Sequence, residues 1–383
     1  LMALSPDGRS VKIYGTMAGA TEGWGYPRGI ERRIIEQVGG YVEALELEGC
    51  TQMRRRGEPD LVLELMRLQA DWITRCAAHL HAEETWDAMF IQYHAPDGIS
   101  HVYLRDLESE DAAVHAAADT ILCETIRLLA RMVTDVTAQC ADAHTFVAVV
   151  SDHGNMPVRH VVNMDGILMR EGWTRFLEDE PALDTRRSVA VFGQSGVWIN
   201  LKGREKHGCV ESGADYEKLR SAIIERMLAV RCEETGDSPF AVVARREDLH
   251  GMGMWGDRIE DVVCFTKPYY LAFNLSPTFD PKRVTMARDE RDVVRLEDLI
   301  AVGLIWDLTA VHWNLPNAAV DYASNRPVFL LSGPGIAAGA RGKRVNLVDV
   351  APTLAHCLGI QPPRQAEGRI VWEAFAREGP GLP

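Results

Sequence analysis

The chain has 383 residues, 41 lysines and arginines against 55 aspartates and glutamates, a net charge of −14, and 46% hydrophobic residues. That composition excludes disorder, collagen and coiled coil, and no apolar run approaches the ~20 residues of a membrane helix, so a globular protein without a membrane partner is expected. The acidic balance also argues against a nucleic acid polymer as partner, because binding phosphates in bulk takes a basic face, and only residues 54–56 and 341–344 are locally basic. A small anionic substrate would have to meet its positive charge at a point, which a bound metal supplies.

The eight cysteines are scattered with no C-x-x-C pair, as expected of reduced thiols in a cytoplasmic protein. The N-terminus, Leu1-Met2 running into Ser5-Pro6-Asp7-Gly8, lacks the basic and apolar regions of a signal peptide and reads as the middle of a fold.

In chain order, Leu61, Leu65, Leu68, Trp72, Cys76 and Leu80 recur at three-to-four spacing behind Pro59, which predicts an amphipathic helix with proline in its first turn. The apolar run 86–93 predicts a buried strand, followed by a Pro96-Asp97-Gly98 loop. A long helix is expected over about 111–136, and a second buried strand over 145–150. Nearly all-apolar strands separated by helices predict an α/β fold, a central, mostly parallel sheet covered by helices on both faces. From Gly196 the texture changes to a helix near 214–230 and short strands near 241–245 and 261–265. Residues 196–310 therefore read as an inserted α+β subdomain that shapes the substrate pocket, and residues 1–195 plus 311–383 as the core. The sheet resumes at 328–331, Gly333-Pro334-Gly335 turns the chain, and Asp349 opens a last helix with proline close behind.

Ligands of open α/β sheets gather at the carboxyl ends of strands. Three places qualify: Asp97 with His101, Asp152 with His153, and His312. Asp and His are ligands of zinc and manganese. Asp97 and His101, four apart, can share one face of a helical turn and grip one ion, which His312 could complete. Asp152 and His153 would hold a second, where the chain bends and Gly154 removes an obstructing side chain. Two ions ~4 Å apart can clamp the attacking and leaving oxygens of a displacement at phosphorus. Each piece also has an ordinary reading: Pro-Asp-Gly is a common turn, Asp-His-Gly a strand-end cap, and a lone histidine a satisfied one. What favours a site is the order of all three along the chain. His160, close behind the Asp-His-Gly turn, is the candidate for substrate contact; the other histidines, His94 among them, read as structural or solvent-facing.

This constellation resembles the alkaline phosphatase superfamily, and within it the type I phosphodiesterase/nucleotide pyrophosphatase group. The resemblance rests on Asp97-x3-His101, Val150-Ser151-Asp152-His153-Gly154, His312, and the tail from Arg326-Pro327 through Gly333-Pro334-Gly335 to Asp349-Val350-Ala351-Pro352-Thr353. Residues 199–205, Asp215-Tyr216 and Arg245-Arg246-Glu247 also resemble its prokaryotic members. The resemblance implies a hydrolase of phosphoric esters with two divalent ions, zinc first and manganese second, one held by Asp97, His101 and His312, the other by Asp152 and His153. It also implies an aspartate on a first strand and a Thr or Ser nucleophile, and neither is found in this chain. Thr16 and Thr21 are present, but residues 14–19 resemble a stretch that the family places after the nucleophile. A remnant that binds metal without catalysis is the alternative. The phosphoglycerate mutases, with a similar Asp-His-Gly-Asn string, and the sulfatases, whose Cys-x-Pro-x-Arg motif is not found here, are the other relatives to weigh.

Overall fold

The computed structural model describes residues 2–4, 7, 9, 11–13, 21–41, 47–178, 180, 182–254, 256–272, 281–303, 308–312, 322–342 and 344–376. Leu1, Ser5, Pro6, Gly8 and residues 14–19, Thr16 among them, lie outside the described residues. In chain order the elements are strands β1 (Met2–Leu4) and β2 (Val11–Ile13), then helices α1 (Ile30–Val38), α2 (Leu47–Arg55), α3 (Pro59–Glu83), α4 (Ala95–Tyr103) and α5 (Ala112–Cys140). There follow β3 (Val147–Val150), β4 (Met156–Val162), α6 (Met164–Arg170), β5 (Ala190–Phe192), β6 (Gly196–Ile199), α7 (Ala214–Ala229), β7 (Phe240–Arg245), β8 (Val262–Thr266) and β9 (Tyr269–Ala272). The last are α8 (Pro281–Ala287), β10 (Val293–Arg295), α9 (Leu296–Ala301), β11 (Ala310–Val311), β12 (Phe329–Ser332) and α10 (Val350–Cys357). The α/β class read from the sequence is the class of the structure. No helix among the described residues is long and apolar enough to cross a membrane.

The chain divides into two compact units, one of Leu1–Asp152 with Val328–Pro383, the other of His153–Pro327. In the first, α3 forms where the apolar spacing placed it: Val62, Met66, Ala70, Ile73 and Ala77 are buried along one stripe, with Pro59 in the first turn. Helix α5 starts at Asp111, whose Oδ1 accepts from the Ala113 and Val114 N–H groups at 2.8 and 3.4 Å. It buries Ala118, Ile121, Thr125, Leu128 and Met132 at the same alternating spacing. Both helices pack around α4, whose Ile99 and Val102 are fully buried with Val62, Leu65, Met66 and Ile121. Strand β3 pairs antiparallel with β12, Val150 opposite Phe329.

Residues 86–93 form no strand, contrary to the sequence expectation. Phe90 is 88% exposed. An apolar run becomes a strand only where a neighbour takes up its backbone groups, and no described strand pairs with this one.

In the second unit β4 is the axis. It pairs antiparallel with β10 and β11 and parallel with β9. A second sheet, ordered β5-β6-β8-β7, is antiparallel throughout. The pair β4·β9 is therefore the one parallel pairing among the named strands, which corrects the mostly parallel arrangement expected. Apolar strands report burial on both faces, and burial carries no information on strand direction. The core of this unit is built from Val162, Ile167, Leu168, Ile199, Ile223 and Met227, all inaccessible to solvent.

Candidate functional site

In the first unit, Asp97 lies in the first turn of α4, behind Pro96, and His101 in its last turn. The spacing of four puts both on one face, and His101 Nε2 stands 3.2 Å from Asp97 Oδ2. His101 is buried by the packing of α4, and Asp97 keeps a small opening to solvent. His94, just before the helix, brings its own Nε2 to 3.2 Å from the same oxygen. Sequence reading set His94 aside, although its i,i+3 relation to Asp97 was a signal that could have found it. Asp152 is the last residue of this unit and is exposed. The chain before it is fixed by Ser151, which donates its N–H to Val328 O at 2.9 Å and accepts the Val328 N–H on Oγ at 2.8 Å.

In the second unit, the His153 and His312 rings stack with centroids 3.6 Å apart and planes inclined by 18°. Two pieces of local structure produce this. The pairing of Val311 with Met156 aligns the ends of β11 and β4, so the residues just beyond each strand meet. Gly154 donates its N–H to Ser324 O at 3.0 Å, with the backbone so close that a Cβ at this position would stand 2.3 Å from Ala323 O. His153 Nδ1 is 3.1 Å from Gly154 O. A carbonyl can only accept, so Nδ1 carries the hydrogen in this contact, and Nε2 is the ring nitrogen that bears the lone pair of a neutral imidazole. His160 lies further along β4, buried, with Nε2 3.0 Å from Glu234 Oε2 and its ring stacked on Tyr270 at 5.3 Å. Thr21 is exposed.

Ile199, Arg204, Tyr216 and Arg246 gather around Asp261, which is inaccessible to solvent. Both Asp261 oxygens accept from the Arg204 guanidinium at 2.7 Å, Oδ2 also from the Ile199 N–H at 2.7 Å, and Oδ1 from the Tyr216 hydroxyl at 2.8 Å. Burial alone would raise the Asp261 carboxyl, but these donors hold it below the ordinary carboxylate range. Burial, reinforced by the bond to Asp261, pushes the Tyr216 hydroxyl up to about 12. The motif read from the sequence as part of a family resemblance is thus, in this structure, a buried ionic node that ties β6 and β8 to α7.

The Asp-His pair on α4 and the His-His pair beyond β4 and β11 offer carboxylate oxygen and imidazole nitrogen, the donors that divalent ions such as zinc and manganese take. Residues 38–286 match the family described as type I phosphodiesterase / nucleotide pyrophosphatase. The chain belongs to that family, a branch of the alkaline phosphatase superfamily; Asp97, His101, Asp152, His153 and His160 fall within the matched stretch, and His312 beyond it. Among solved structures it is similar to a wild-type alkaline phosphatase, PafA, at 14% identity and a TM-score of 0.42, over 74% of this chain and 46% of that one. A substituted mutant of PafA gives 15% identity and a TM-score of 0.44, over 82% and 54%. The chain spans about half the length of these structures. No curated protein matches it.

Proposed function

We propose that this protein hydrolyses phosphoric esters with divalent metal ions, in a reaction of the phosphodiesterase/nucleotide pyrophosphatase type. The observation that supports it most is the pairing of donors within each unit of a chain from this family: Asp97 with His101 at 3.2 Å, and His153 stacked on His312 at 3.6 Å. The donor set fits the group. Carboxylate oxygen and imidazole nitrogen are the ligands of zinc and manganese, and neither thiolate nor thioether takes part. In the proposed arrangement Asp97, His101 and His312 hold one ion, and Asp152 and His153 the other. Divalent ions held there would supply positive charge to the nonbridging and leaving oxygens of a phosphoryl group. His101 is fixed by its burial in α4, and His153 by the bond from Nδ1 to Gly154 O, so each presents its ligand atom in one orientation. Zinc as the first metal, a small phosphate ester as substrate and a cytoplasmic location belong to the same proposal; the eight free cysteines are consistent with the last.

The proposed reaction runs through a Thr or Ser nucleophile not found in this chain, so the test is metal content of the purified chain, and hydrolysis of p-nitrophenyl phosphate mono- and diesters, with added zinc or manganese, by protein that carries that nucleophile. About two equivalents of metal and metal-dependent turnover are expected. Asp97→Ala and His312→Ala should each lower that turnover by at least about a hundredfold. Turnover that survives both substitutions, or persists in chelator, overturns the reading. Binding of one equivalent or none without turnover would favour the non-catalytic remnant.

A further inference from the structure

We propose that Arg159 binds a second anionic group of the substrate, remote from the scissile phosphorus, and so selects esters whose leaving group carries its own phosphate or carboxylate. This rests on the reading of the protein as a phosphoric ester hydrolase and adds to it a residue that decides which esters are taken.

The turn Lys267-Pro268-Tyr269-Tyr270 is closed by the Tyr270 N–H, which donates to Lys267 O at 3.2 Å. Proline second and a positive φ third is the pattern of a type II turn, whose third position ordinarily takes glycine because an L side chain is strained there. Here that position is Tyr269, at φ 70°, the one non-glycine residue in the left-handed region among those described. A tyrosine kept where glycine would fit without strain points to a use for its ring. The ring lies under the Arg159 guanidinium, 4.5 Å from centroid to Cζ.

Arg159 occupies a second irregularity. The parallel register of β4 and β9 runs Val158 to Tyr269 and then His160 to Tyr270, so Arg159 is the extra residue of a bulge. Bulges re-aim a side chain and recur beside active sites. On either side of it Val158 and His160 are buried, at 0% and 8%, whereas Arg159 is exposed. An exposed arginine ordinarily samples many rotamers; one stacked on a ring has its plane fixed and its N–H fork set for a planar or tetrahedral anion. Position supplies the link to the chemistry. Strand β4 opens at Met156, directly after His153-Gly154-Asn155, and Met156 pairs with Val311 beside His312. Arg159 lies four residues along β4 from the level of His312, about 13 Å at the rise of a strand, a span that a linear bisphosphate and the arginine side chain cover between them.

Three esters with the same scissile bond test this: hexane-1,6-diol monophosphate, hexane-1,6-diol bisphosphate, and 6-phosphooxyhexanoate. Wild-type protein should prefer the two anion-bearing esters over the monophosphate by about tenfold in kcat/KM, beyond the statistical factor of two for the bisphosphate, with the gain in KM. Arg159→Gln should bring that ratio to about one, and Arg159→Lys, which keeps a point charge without the fork, should keep part of it. Preference for the bisphosphate alone identifies the remote group as phosphate, and equal preference for both as any anion. A ratio unchanged in Arg159→Gln, or an equal loss on all three esters, overturns the proposal. If none of these monoesters is turned over, the hydrolase reading is decided by the p-nitrophenyl diesters, and binding carries the test of Arg159. The calorimetric Kd of the bisphosphate with manganese then decides for Arg159: weakening by about tenfold in Arg159→Gln supports the assignment, and equal binding or none overturns it.

Discussion

Gly154 carries a larger part of the His153 turn than its size suggests. Its would-be Cβ meets a backbone oxygen, Ala323 O, at 2.3 Å, and backbone cannot rotate away as the end of a flexible side chain can. Alanine at this position must push the 323–325 turn outward and break the Gly154 N–H bond to Ser324 O. Gly154→Ala should therefore destabilise the unit by about 2 kcal/mol, in the range of other forced overpacking, and disturb the His153–His312 stack. Thermal unfolding by circular dichroism measures the first effect and metal affinity the second. An unchanged Tm would show that the turn has room the structure denies. The same residue shows what sequence could and could not provide. Asp-His-Gly marked a bend that needs glycine, but the reason, the approach of residues 323 and 324, lies 170 positions away in the chain, and no local pattern encodes it.

Among elements, the node at Asp261 is where charge holds the second unit together. Its carboxylate, buried without exposure, is met by Arg204, Tyr216 and the Ile199 N–H. Removing the charge takes from Arg204 the carboxylate that accepts two of its bonds and leaves Glu205 as its other ionic partner; breaking a buried pair costs about 3–5 kcal/mol. Asp261→Asn is expected to lower urea stability by that order at pH 7. The direction with pH follows from the depressed carboxyl. A group whose folded pKa lies below its unfolded value stabilises fully above the ordinary carboxylate range and loses that contribution as pH falls through it. Wild type should thus lose stability faster than Asp261→Asn does as pH falls below the ordinary carboxylate range. Parallel pH curves would assign the acid sensitivity to other carboxylates. Helices were the legible elements: the buried stripes of α3 and α5 follow their apolar spacing, and the Asp111 cap marks the start of α5. Strands were less so. Residues 86–93 have strand composition and no strand partner among the described residues, and the direction of β4's neighbours was not written in the residues of β4, because pairing is a property of two segments while periodicity is a property of one. Asp97 and His101 could be read as a pair because helical spacing is local. The Arg204–Asp261 bond, between residues 57 positions apart, could not.

At the scale of the whole molecule, a net charge of −14 sets a condition on any phosphate-bearing ligand. Over distances beyond a Debye length, about 8 Å at physiological salt, this charge is screened; within that range an acidic surface opposes a polyanion at every contact, since counterion release needs many cations along one face. A single phosphate would face a different balance at the proposed site, where two divalent ions would bring four positive charges to one point. Phosphate affinity should therefore be a property of the metal-loaded protein and nearly absent from the stripped one. Calorimetric titration with inorganic phosphate is expected to show binding at least about a hundredfold tighter with zinc or manganese than in chelator. The same protein should pass through a heparin column at physiological salt whether or not metal is present. Retention on heparin would mean that the few basic residues near 54–56 and 341–344 form a face the net charge conceals. Equal phosphate binding with and without metal would place the anion on arginines, and the Asp and His residues would lose their role in recognising it.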